Sequence, residues 1–260
     1  GISMSVMNYF RNIDRNKIQI DFVAPSVDEN LEKEIIEKGA KVYLIEGRRK
    51  APLKYIKNLR KLIEKEKYDI IHAHGSSAIL CLEMIAAKKA GCKVRIAHSR
   101  NTKSDHKIID KILRPVFYKT YTHGFACGED AGKWLFKNRN FYIINNGKDI
   151  ARFEFNENVR NEIREKYNLV NKKVIGHVGN FNEQKNHSFL IDIFNRLVKD
   201  DNNFYLILIG TGYLQDKIKQ KVKNLGIEEN VLFVGKSLEV EKWLQAMDIM
   251  LLPSKFEGFP

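Results

Sequence analysis

Short runs rich in valine and isoleucine alternate with longer segments of helical periodicity along almost the whole chain. In its first part the predicted strands are 18–23, 41–45, 69–73, 93–98, 123–127 and 141–144. The apolar spacing between them predicts helices near 28–38, 52–67, 77–90, 106–120 and 129–137. Strands that alternate with helices in this way predict parallel sheets covered by helices on both faces.

A second series with the same alternation follows a turn at Asn145-Asn146-Gly147 and a charged, mostly helical segment at 150–172. Its predicted strands are 173–178, 204–209, 230–234 and 247–252, and its predicted helices are 186–199, 213–224 and 237–246. The chain is therefore predicted to be an α/β protein with two Rossmann-like, doubly wound domains, 1–150 and 151–260.

The sequence interrupts a predicted domain at each end. Ile2, Val6, Phe10 and Ile13 form an apolar stripe at helical spacing, although a Rossmann-like domain normally opens with a strand before such a helix. At the other end, the predicted strand and loop at 247–260 lack the helix that they should lead into. We therefore expect the first strand of one domain and the end of the other to be missing from this sequence.

The composition of the chain argues against a disordered, a membrane-spanning or a disulfide-rich protein. Hydrophobic residues make up 43% of the chain and charged residues 30%, which is typical of a soluble globular protein and not of a disordered one. No run approaches the ~18 apolar residues of a membrane span, and no secretory signal is visible. Cys81, Cys92 and Cys127 lie in apolar contexts without CxxC spacing, so we expect reduced, buried thiols in a cytoplasmic protein.

The positive charge of the chain is concentrated in its first half. Residues 1–150 hold 29 Lys and Arg against 17 Asp and Glu, whereas residues 151–260 hold 16 against 15. Such a field attracts anionic membranes, nucleic acids or phosphorylated ligands. The cation-rich helix after Arg48 either packs its apolar stripe on the sheet and leaves its charges in water, or lies on a membrane surface.

A candidate phosphate site lies in the second domain. The segment Gly179–His187 follows a strand and opens a helix, with Asn186 as the predicted N-cap. The N–H groups of the helix start and the charge of Lys185 would suit a phosphate, and a plain βα loop with a surface lysine is the alternative. Gly210 and Gly212 follow the next strand at the same sheet edge, where they allow either close approach of a ligand or a tight turn.

Histidines stand at the carboxyl ends of two strands of the first domain. His72 and His74 share one strand face by period two, but no acidic or cysteine partner has a convincing spacing, so no metal is expected. For His72 the simpler interpretation is a residue that ends a strand. His98 belongs to a polar cluster, with Arg100, directly after a buried strand, and contact with a substrate explains that cluster better.

A carboxylate stands in the loop after the last predicted strand. Glu257 is followed by Gly258, Phe259 and Pro260 in a Gly/Pro turn at the carboxyl end of that strand. Because open α/β sheets bind ligands at this edge, the loop predicts an acidic group in a ligand crevice.

These residues together resemble the GT-B glycosyltransferases of family 4, and among them the enzymes that build capsular or extracellular polysaccharide. The resemblance covers nearly the whole chain, in blocks at 7–14, 70–74, 94–99, 125–128, 143–149, 183–187 and 253–260. Glu183-Gln184-Lys185-Asn186-His187 is similar to the family's phosphate loop. Glu257 opens a pattern similar to its E-x7-E motif.

The resemblance implies two Rossmann-like domains that face a cleft and an enzyme that transfers a sugar from a nucleotide-diphosphate donor, expected to be UDP-linked, with retained anomeric configuration. It implies no cofactor and no divalent metal. The expected acceptor is a glycan or a lipid-linked diphosphate sugar at the inner membrane surface. The protein itself is expected to make peripheral contact with anionic membrane. His74 and Arg100 of the first domain would lie on the acceptor side, and nucleic acid is not an expected partner.

The resemblance also implies a role for individual residues. The leaving diphosphate gains negative charge, which Lys185, the start of the helix after it and Asn180 would meet. Glu257 would hold sugar hydroxyls, and His98 would contact the donor sugar from the other domain. The expected catalytic residues are therefore His98, Lys185 and Glu257, and the expected donor-binding residues are Gly179, Asn180, Asn186, Gly210, Gly212, Gly258 and Phe259.

Two departures from the family pattern bear on donor binding. The family often has Arg at the position of Asn180, and the second Glu of the E-x7-E motif, which typically holds the ribose, would lie beyond Pro260. Two other functions stay open. One is a non-catalytic binder of anionic membrane or nucleic acid that uses the basic half, and the other is a GT-B sugar-nucleotide epimerase.

Overall fold

The chain folds into two compact units. A computed structural model of the protein describes residues 2–104 and 106–257. Residues Asp149–Phe256 form one unit, and the chain up to Lys148 forms the other, together with Glu257. The division between Lys148 and Asp149 lies two residues before the boundary that the sequence predicts.

Helices and strands alternate strictly in the first unit. Its helices are α1 (Ile2–Asn12), α2 (Glu29–Glu37), α3 (Pro52–Glu66), α4 (Cys81–Lys89), α5 (Lys107–Tyr118) and α6 (Glu129–Phe136). Its strands are β1 (Phe22–Ala24), β2 (Val42–Leu44), β3 (Ile70–Gly75), β4 (Val94–Ser99), β5 (His123–Ala126) and β6 (Tyr142–Ile143). β1 pairs with β2, β3 to β6 form a second sheet in sequence order, and these ladders are parallel.

The strand β1 begins four residues later than the sequence predicts. The N–H of Ile18 donates to the carbonyl of Asp14 at 3.1 Å, so the residues after α1 form a turn. Pairing starts where the N–H of Phe22 reaches the carbonyl of Lys41 at 2.8 Å. The N–H of Ile18 is therefore used within this turn, and the parallel ladder begins only at Phe22.

The second unit has one parallel sheet in the order β10-β7-β8-β9. Its strands are β7 (Lys173–Val178), β8 (Phe204–Ile209), β9 (Val231–Gly235) and β10 (Ile249–Met250). Its helices are α7 (Glu157–Lys166), α8 (His187–Asp200), α9 (Gln215–Asn224) and α10 (Val240–Ala246). The predicted α/β class with two Rossmann-like domains is confirmed. Among the helices that the structure describes in either unit, none combines the length and apolarity that crossing a membrane requires.

The central strand β8 shows why both faces of this sheet are covered. Leu206 and Leu208 pack into one apolar cluster with residues of α8 and α9, such as Phe194. Ile207 and Ile209 point to the opposite face, where they pack with Ala246 of α10 and other apolar residues. Since side chains alternate along a strand, a continuous apolar run such as β8 buries both faces and requires helices on each.

The three cysteines are unbridged and buried. Burial raises the pKa of the Cys81 thiol to about 11, and it also raises the pKa values of Cys92 and Cys127. The expectation of buried cysteines without disulfides is therefore confirmed.

Asp248 connects α7 to the sheet of the second unit. Its carboxylate accepts the N–H of Val174 at 2.8 Å, pairs with Arg164 at 2.7 Å and also pairs with Arg160. Burial by itself would raise the pKa of Asp248, but the Val174 N–H and the two guanidinium groups outweigh it and lower that pKa. The ionised form is therefore favoured in the folded chain.

We expect Asp248→Asn to lower the free energy of unfolding at pH 7 by about 1–3 kcal/mol, because a buried arginine loses its counter-ion. The pKa of the native carboxyl lies below its unfolded value of ~3.9, so the stabilisation is complete above that pH and is lost as the pH falls through the folded pKa. Urea unfolding at pH 7 and at lower pH measures the difference. The exposed Asp200→Asn is the control, and an equal effect of both changes would contradict this role of Asp248.

Candidate functional site

Two loops at the carboxyl edge of the second sheet are joined by backbone hydrogen bonds. The N–H of Gly179, directly after β7, donates to the carbonyl of Ile209 at 2.9 Å. The N–H of Phe181 donates to Thr211 at 3.0 Å, and the carbonyl of Phe181 accepts from Leu214 at 3.1 Å. The loop after β7 is therefore fixed by the loop after β8.

Gly210 and Gly212 make this close approach possible. Gly210 has a φ of 135°, and a Cβ at this position would overlap the carbonyl of Gly179. A Cβ on Gly212 would lie 2.5 Å from the carbonyl oxygen of Phe181. The structure thus supplies a reason for both glycines that the sequence did not suggest: they allow two backbones to pack against each other.

Lys185 lies directly over Gly179. A Cβ on Gly179 would come within 3.1 Å of Cγ and Cδ of Lys185, so the missing side chain leaves the space that the lysine stem occupies. The N–H of Lys185 donates to Oδ1 of Asn182 at 3.0 Å, which fixes the backbone of the loop. Asn180 is exposed beside this lysine-bearing loop.

The helix α8 begins with available N–H groups. Asn186 occupies the predicted N-cap position, but it has a left-handed conformation and makes no capping hydrogen bond. Its side chain donates to the carbonyl of Pro253 at 3.3 Å instead. Within the described ranges, the N–H groups of His187 and Ser188 have no protein acceptor. This helix start therefore offers two donors and a partial positive charge to an anion.

The loop after β10 lies beside the same helix start. The N–H of Lys255 donates to the carbonyl of Gln184 at 2.8 Å, and the amide of Gln184 donates to the carbonyl of Phe256 at 2.9 Å. Glu257 follows this loop and belongs to the first unit, where its carbonyl accepts from the hydroxyl of Thr102 at 2.9 Å. The predicted donor-binding residues Gly258 and Phe259 lie outside the described residues.

His187 is a buried histidine at the first position of α8, and the sequence pattern predicts no role for it apart from the rest of the phosphate loop. Its ring stacks on Phe181 at 3.9 Å and meets His177 edge-on at 4.7 Å. Neither ring nitrogen has a hydrogen-bond partner in the part of the chain that the structure describes. Burial, and then the neighbouring His177 and Lys185, lower the pKa of His187 to about 4. The ring is therefore neutral directly beneath the candidate phosphate loop.

The first unit brings His74, His98 and Arg100 together. Parallel pairing places His74 of β3 opposite His98 of β4. The guanidinium of Arg100 donates to Nδ1 of His74 at 3.0–3.1 Å. His72, on the same strand face as His74, hydrogen-bonds through Nε2 to Nδ1 of His98 at 3.0 Å. The predicted polar cluster is thus one connected network of hydrogen bonds.

The histidines of this network are neutral. Burial, and then Arg100 and His72, lower the pKa of His98 to about 2, and burial also lowers the pKa of His74. His98 is fully buried, and its Nε2 has no hydrogen-bond partner among residues 2–104 and 106–257. A neutral imidazole in this position exchanges hydrogen bonds with a ligand without adding charge.

Arg100 links the histidines to two distant sequence blocks. It donates to Oδ1 of Asn146 at 2.6 Å and lies 5.7 Å from the ring of Tyr9. Tyr9 in turn donates to the carbonyl of Asn145 at 2.9 Å. The first helix, the strand ends and the Asn145–Gly147 turn therefore meet around one guanidinium.

The three histidines have the spacing of a metal site but an electrostatic setting that opposes one. Their ligating nitrogens lie within 4.8 Å of one another. However, Arg100 occupies the lone pair of His74 Nδ1 and adds a fixed positive charge, and the bond between His72 and His98 occupies two further nitrogens. A bound cation would have to break these contacts, so the expectation of no metal stays our prediction.

We expect His187→Phe to weaken the pH dependence of the melting temperature. The folded pKa of about 4 lies below the unfolded value of ~6.5, so the stabilisation is complete above about pH 6.5 and is lost towards pH 4. Phenylalanine keeps the stacking on Phe181 and has no titratable nitrogen. Melting curves across this range test the change, with the exposed His123→Phe as control. Identical slopes for His187→Phe and the unchanged chain would contradict it.

Protein-family comparisons match both parts of the chain. The family described as Glycosyltransferase Family 4 matches residues 1–152, and the family described as Glycosyl transferases group 1 matches residues 159–260. The two matches together cover both compact units.

Individual relatives agree with these families. EpsF of Bacillus subtilis (strain 168) is 30% identical over 275 residues, which cover 100% of this chain and 71% of EpsF. The UDP-Gal:alpha-D-GlcNAc-diphosphoundecaprenol alpha-1,3-galactosyltransferase of Escherichia coli is 28% identical over 228 residues, which cover 80% of this chain and 57% of that enzyme.

Solved structures share the fold. Anabaena HepE in complex with UDP-glucose matches with a TM-score of 0.74 at 16% identity, over 91% of this chain and 74% of HepE. At this identity the likeness concerns the fold, and it agrees with the parallel sheets described above. The chain therefore belongs to glycosyltransferase family 4 and has the two Rossmann-like units of the GT-B fold.

Proposed function

We propose that this chain transfers a sugar from a UDP-linked donor to a glycan or lipid-linked acceptor during synthesis of a surface polysaccharide, and that it retains the anomeric configuration. The names of its relatives support this proposal. The Escherichia coli relative is named for a UDP-Gal donor and a diphosphoundecaprenol acceptor. HepE has been solved with UDP, and with UDP-glucose. The enzyme would act at the cytoplasmic face of the membrane.

The observation that carries the proposal is the arrangement of Lys185 and α8. The lysine stem lies over Gly179, and the helix start next to it has two N–H donors with no protein acceptor in the described chain. When the bond from the anomeric carbon to the diphosphate breaks, negative charge grows on the departing oxygen. A fixed ammonium group and a helix N-terminus stabilise that charge without having to reorganise.

The remaining site residues have supporting roles in this proposal. Asn180, exposed on the same loop, would donate a hydrogen bond to the diphosphate. His98 would use its Nε2 to contact a hydroxyl of the donor sugar, because a buried nitrogen without a partner gains most from a ligand. Glu257 would hold other sugar hydroxyls. Arg100 and His74 would face the acceptor. Its hydroxyl oxygen would form the new bond to the anomeric carbon as the bond to the diphosphate breaks, and its proton would pass to the departing diphosphate oxygen.

We expect Lys185→Ala to reduce turnover by about 100-fold or more, because the leaving diphosphate loses its nearest full positive charge. Release of UDP from UDP-galactose, in the presence of GlcNAc-diphosphoundecaprenol, measures turnover for a first donor and acceptor pair. Calorimetric titration of UDP measures binding without an acceptor, and other UDP-sugars and GDP-mannose follow as donors.

The matched control is Lys199→Ala, which removes an exposed lysine from the last turn of the same helix. It should leave both turnover and UDP binding unchanged. Near-normal turnover of a folded Lys185→Ala variant would contradict the proposed role of the lysine. A new sugar-nucleotide epimer formed from donor alone would support an epimerase instead.

We expect turnover to be the same in EDTA as in Mg²⁺ or Mn²⁺. Lys185 and the start of α8 supply the positive charge that a metal provides in other phosphoryl sites, and Arg100 opposes a cation at the histidines. Rates in EDTA, and again after addition of each metal, test this expectation. Loss of activity in EDTA that a divalent metal restores would contradict it.

A further inference from the structure

The helix α5 is held to the protein by apolar packing and by one buried acidic residue. Phe117 is fully buried, and Leu113 packs against the same apolar cluster. Asp110 is only 3% exposed, and its Oδ1 accepts the N–H of Ala78 at 2.7 Å. Its other oxygen pairs with Arg114, also at 2.7 Å, and Arg114 donates to the carbonyl of Leu135. These bonds fix the rotation of the helix, with the one acidic residue of its sequence turned inward.

The opposite side of α5 is apolar and exposed. Ile108 is 77% exposed and Ile112 is 67% exposed, and Ile109 and Val116 are also exposed. Ile108, Ile112 and Val116 are spaced four residues apart, so they form one stripe along the helix. A helix on a soluble domain normally buries such a stripe, and a contiguous exposed one indicates a partner surface.

Positive charge surrounds the stripe. Lys107, Lys111 and Lys119 are exposed, and none of them forms an ion pair within the described ranges. A shallow groove of about 430 Å³ beside the helix is lined by Lys111, Arg114, Pro115, Tyr118, Lys119 and Arg139. Four of these six residues are cationic and none is acidic. The surface therefore combines exposed apolar side chains with a basic border.

The cation-rich helix α3, which the sequence offered as a membrane candidate, is different. Its apolar residues Leu59 and Ile63 are buried, although Leu53 at its start is exposed. Arg60 pairs with Glu64 along its outer side. Most of its apolar stripe packs on the unit and its charges lie in water, which is the simpler of the two interpretations that the sequence left open.

We propose that α5 binds the surface of an anionic phospholipid bilayer. Ile108, Ile112 and Val116 insert among the lipids, and Lys107, Lys111 and Lys119 contact their phosphates. A protein partner would need a matching set of carboxylates around an apolar strip, whereas anionic headgroups supply negative charge on every side of the helix. Free phosphate would explain the basic groove but would leave the apolar stripe in water. Lipid fits both features.

This inference deepens the proposed function, because it identifies the surface that would bring the enzyme to a lipid-linked acceptor. Vesicle binding itself needs neither donor nor turnover. Lys185→Ala should therefore bind vesicles normally, and the α5 variants should bind UDP normally. The two proposals can accordingly fail separately.

Co-sedimentation with vesicles tests the surface. The unchanged protein should bind mixed phosphatidylglycerol and phosphatidylcholine vesicles, bind pure phosphatidylcholine far less, and stay bound in inorganic phosphate. Combined Ile108→Ser, Ile112→Ser and Val116→Ser changes should lower the partition coefficient by about tenfold or more. Combined Lys107→Gln, Lys111→Gln and Lys119→Gln changes should do the same.

The matched controls distinguish binding through α5 from a general electrostatic attraction of the basic protein to anionic vesicles. Lys54→Gln, Lys57→Gln and Lys61→Gln together remove the same charge from α3, and Ile36→Ser removes an exposed isoleucine from α2. Both should keep most of the binding. Equal losses for the α3 and α5 lysine sets would overturn the proposal, as would absence of vesicle binding by the folded protein. A dimer that Ile112→Ser dissociates, without any lipid binding, would assign the stripe to a second copy instead.

Discussion

In-register pairing of parallel strands is the constraint on which both candidate sites depend. In the first unit it places His74 opposite His98, and in the second it places Val178 opposite Ile209, just before the two loops that bind each other. Since parallel strands end at the same edge, residues far apart in sequence meet there without any special interaction. The ladders themselves are held by apolar packing on both faces, as the alternation along β8 shows. A slip of one residue would turn every one of these side chains to the other face.

The two sites use different means to manage charge. In the second unit, a lysine stem over a glycine and the start of a helix place positive charge at the loop after β7. In the first unit, the guanidinium of Arg100 lies among neutral rings and amide oxygens. It donates hydrogen bonds to His74 and Asn146, which hold its positive charge in place. Buried imidazoles suit this setting because low polarity keeps them neutral, and they then accept or donate without repelling the arginine. The protonation state of the groups at each site therefore depends on how deeply the ends of its strands are buried.

Much of the fold could be predicted from the sequence, since alternating strands and helices have different apolar periods. The limits lay where long-range contacts override the local pattern. The last strand, predicted at 247–252, is only Ile249–Met250. The N–H groups of Asp248 and Leu251 still donate to β7, but the carbonyl of Leu251 accepts from the ring of His177, so the regular ladder ends there. The helix α5 was predicted, but an exposed apolar stripe opposite its buried residue Phe117 was not, because the buried hydrogen bond from the N–H of Ala78 to Asp110 is invisible in sequence. The site loops were predicted by position. The packing of Gly210 against Gly179 and the burial of the His187 ring depend on contacts between distant segments, which the local sequence does not reveal.

The burial of the three cysteines has a practical consequence. A thiol that is covered by side chains and has a raised pKa reacts slowly with alkylating reagents at neutral pH, because the thiolate is the reactive species. Cys81, Cys92 and Cys127 meet both conditions. A single cysteine introduced at an exposed position would therefore take up a fluorophore or a spin label selectively, with the native thiols left in place. With one such cysteine in each unit, distances between the two units could then be measured in solution.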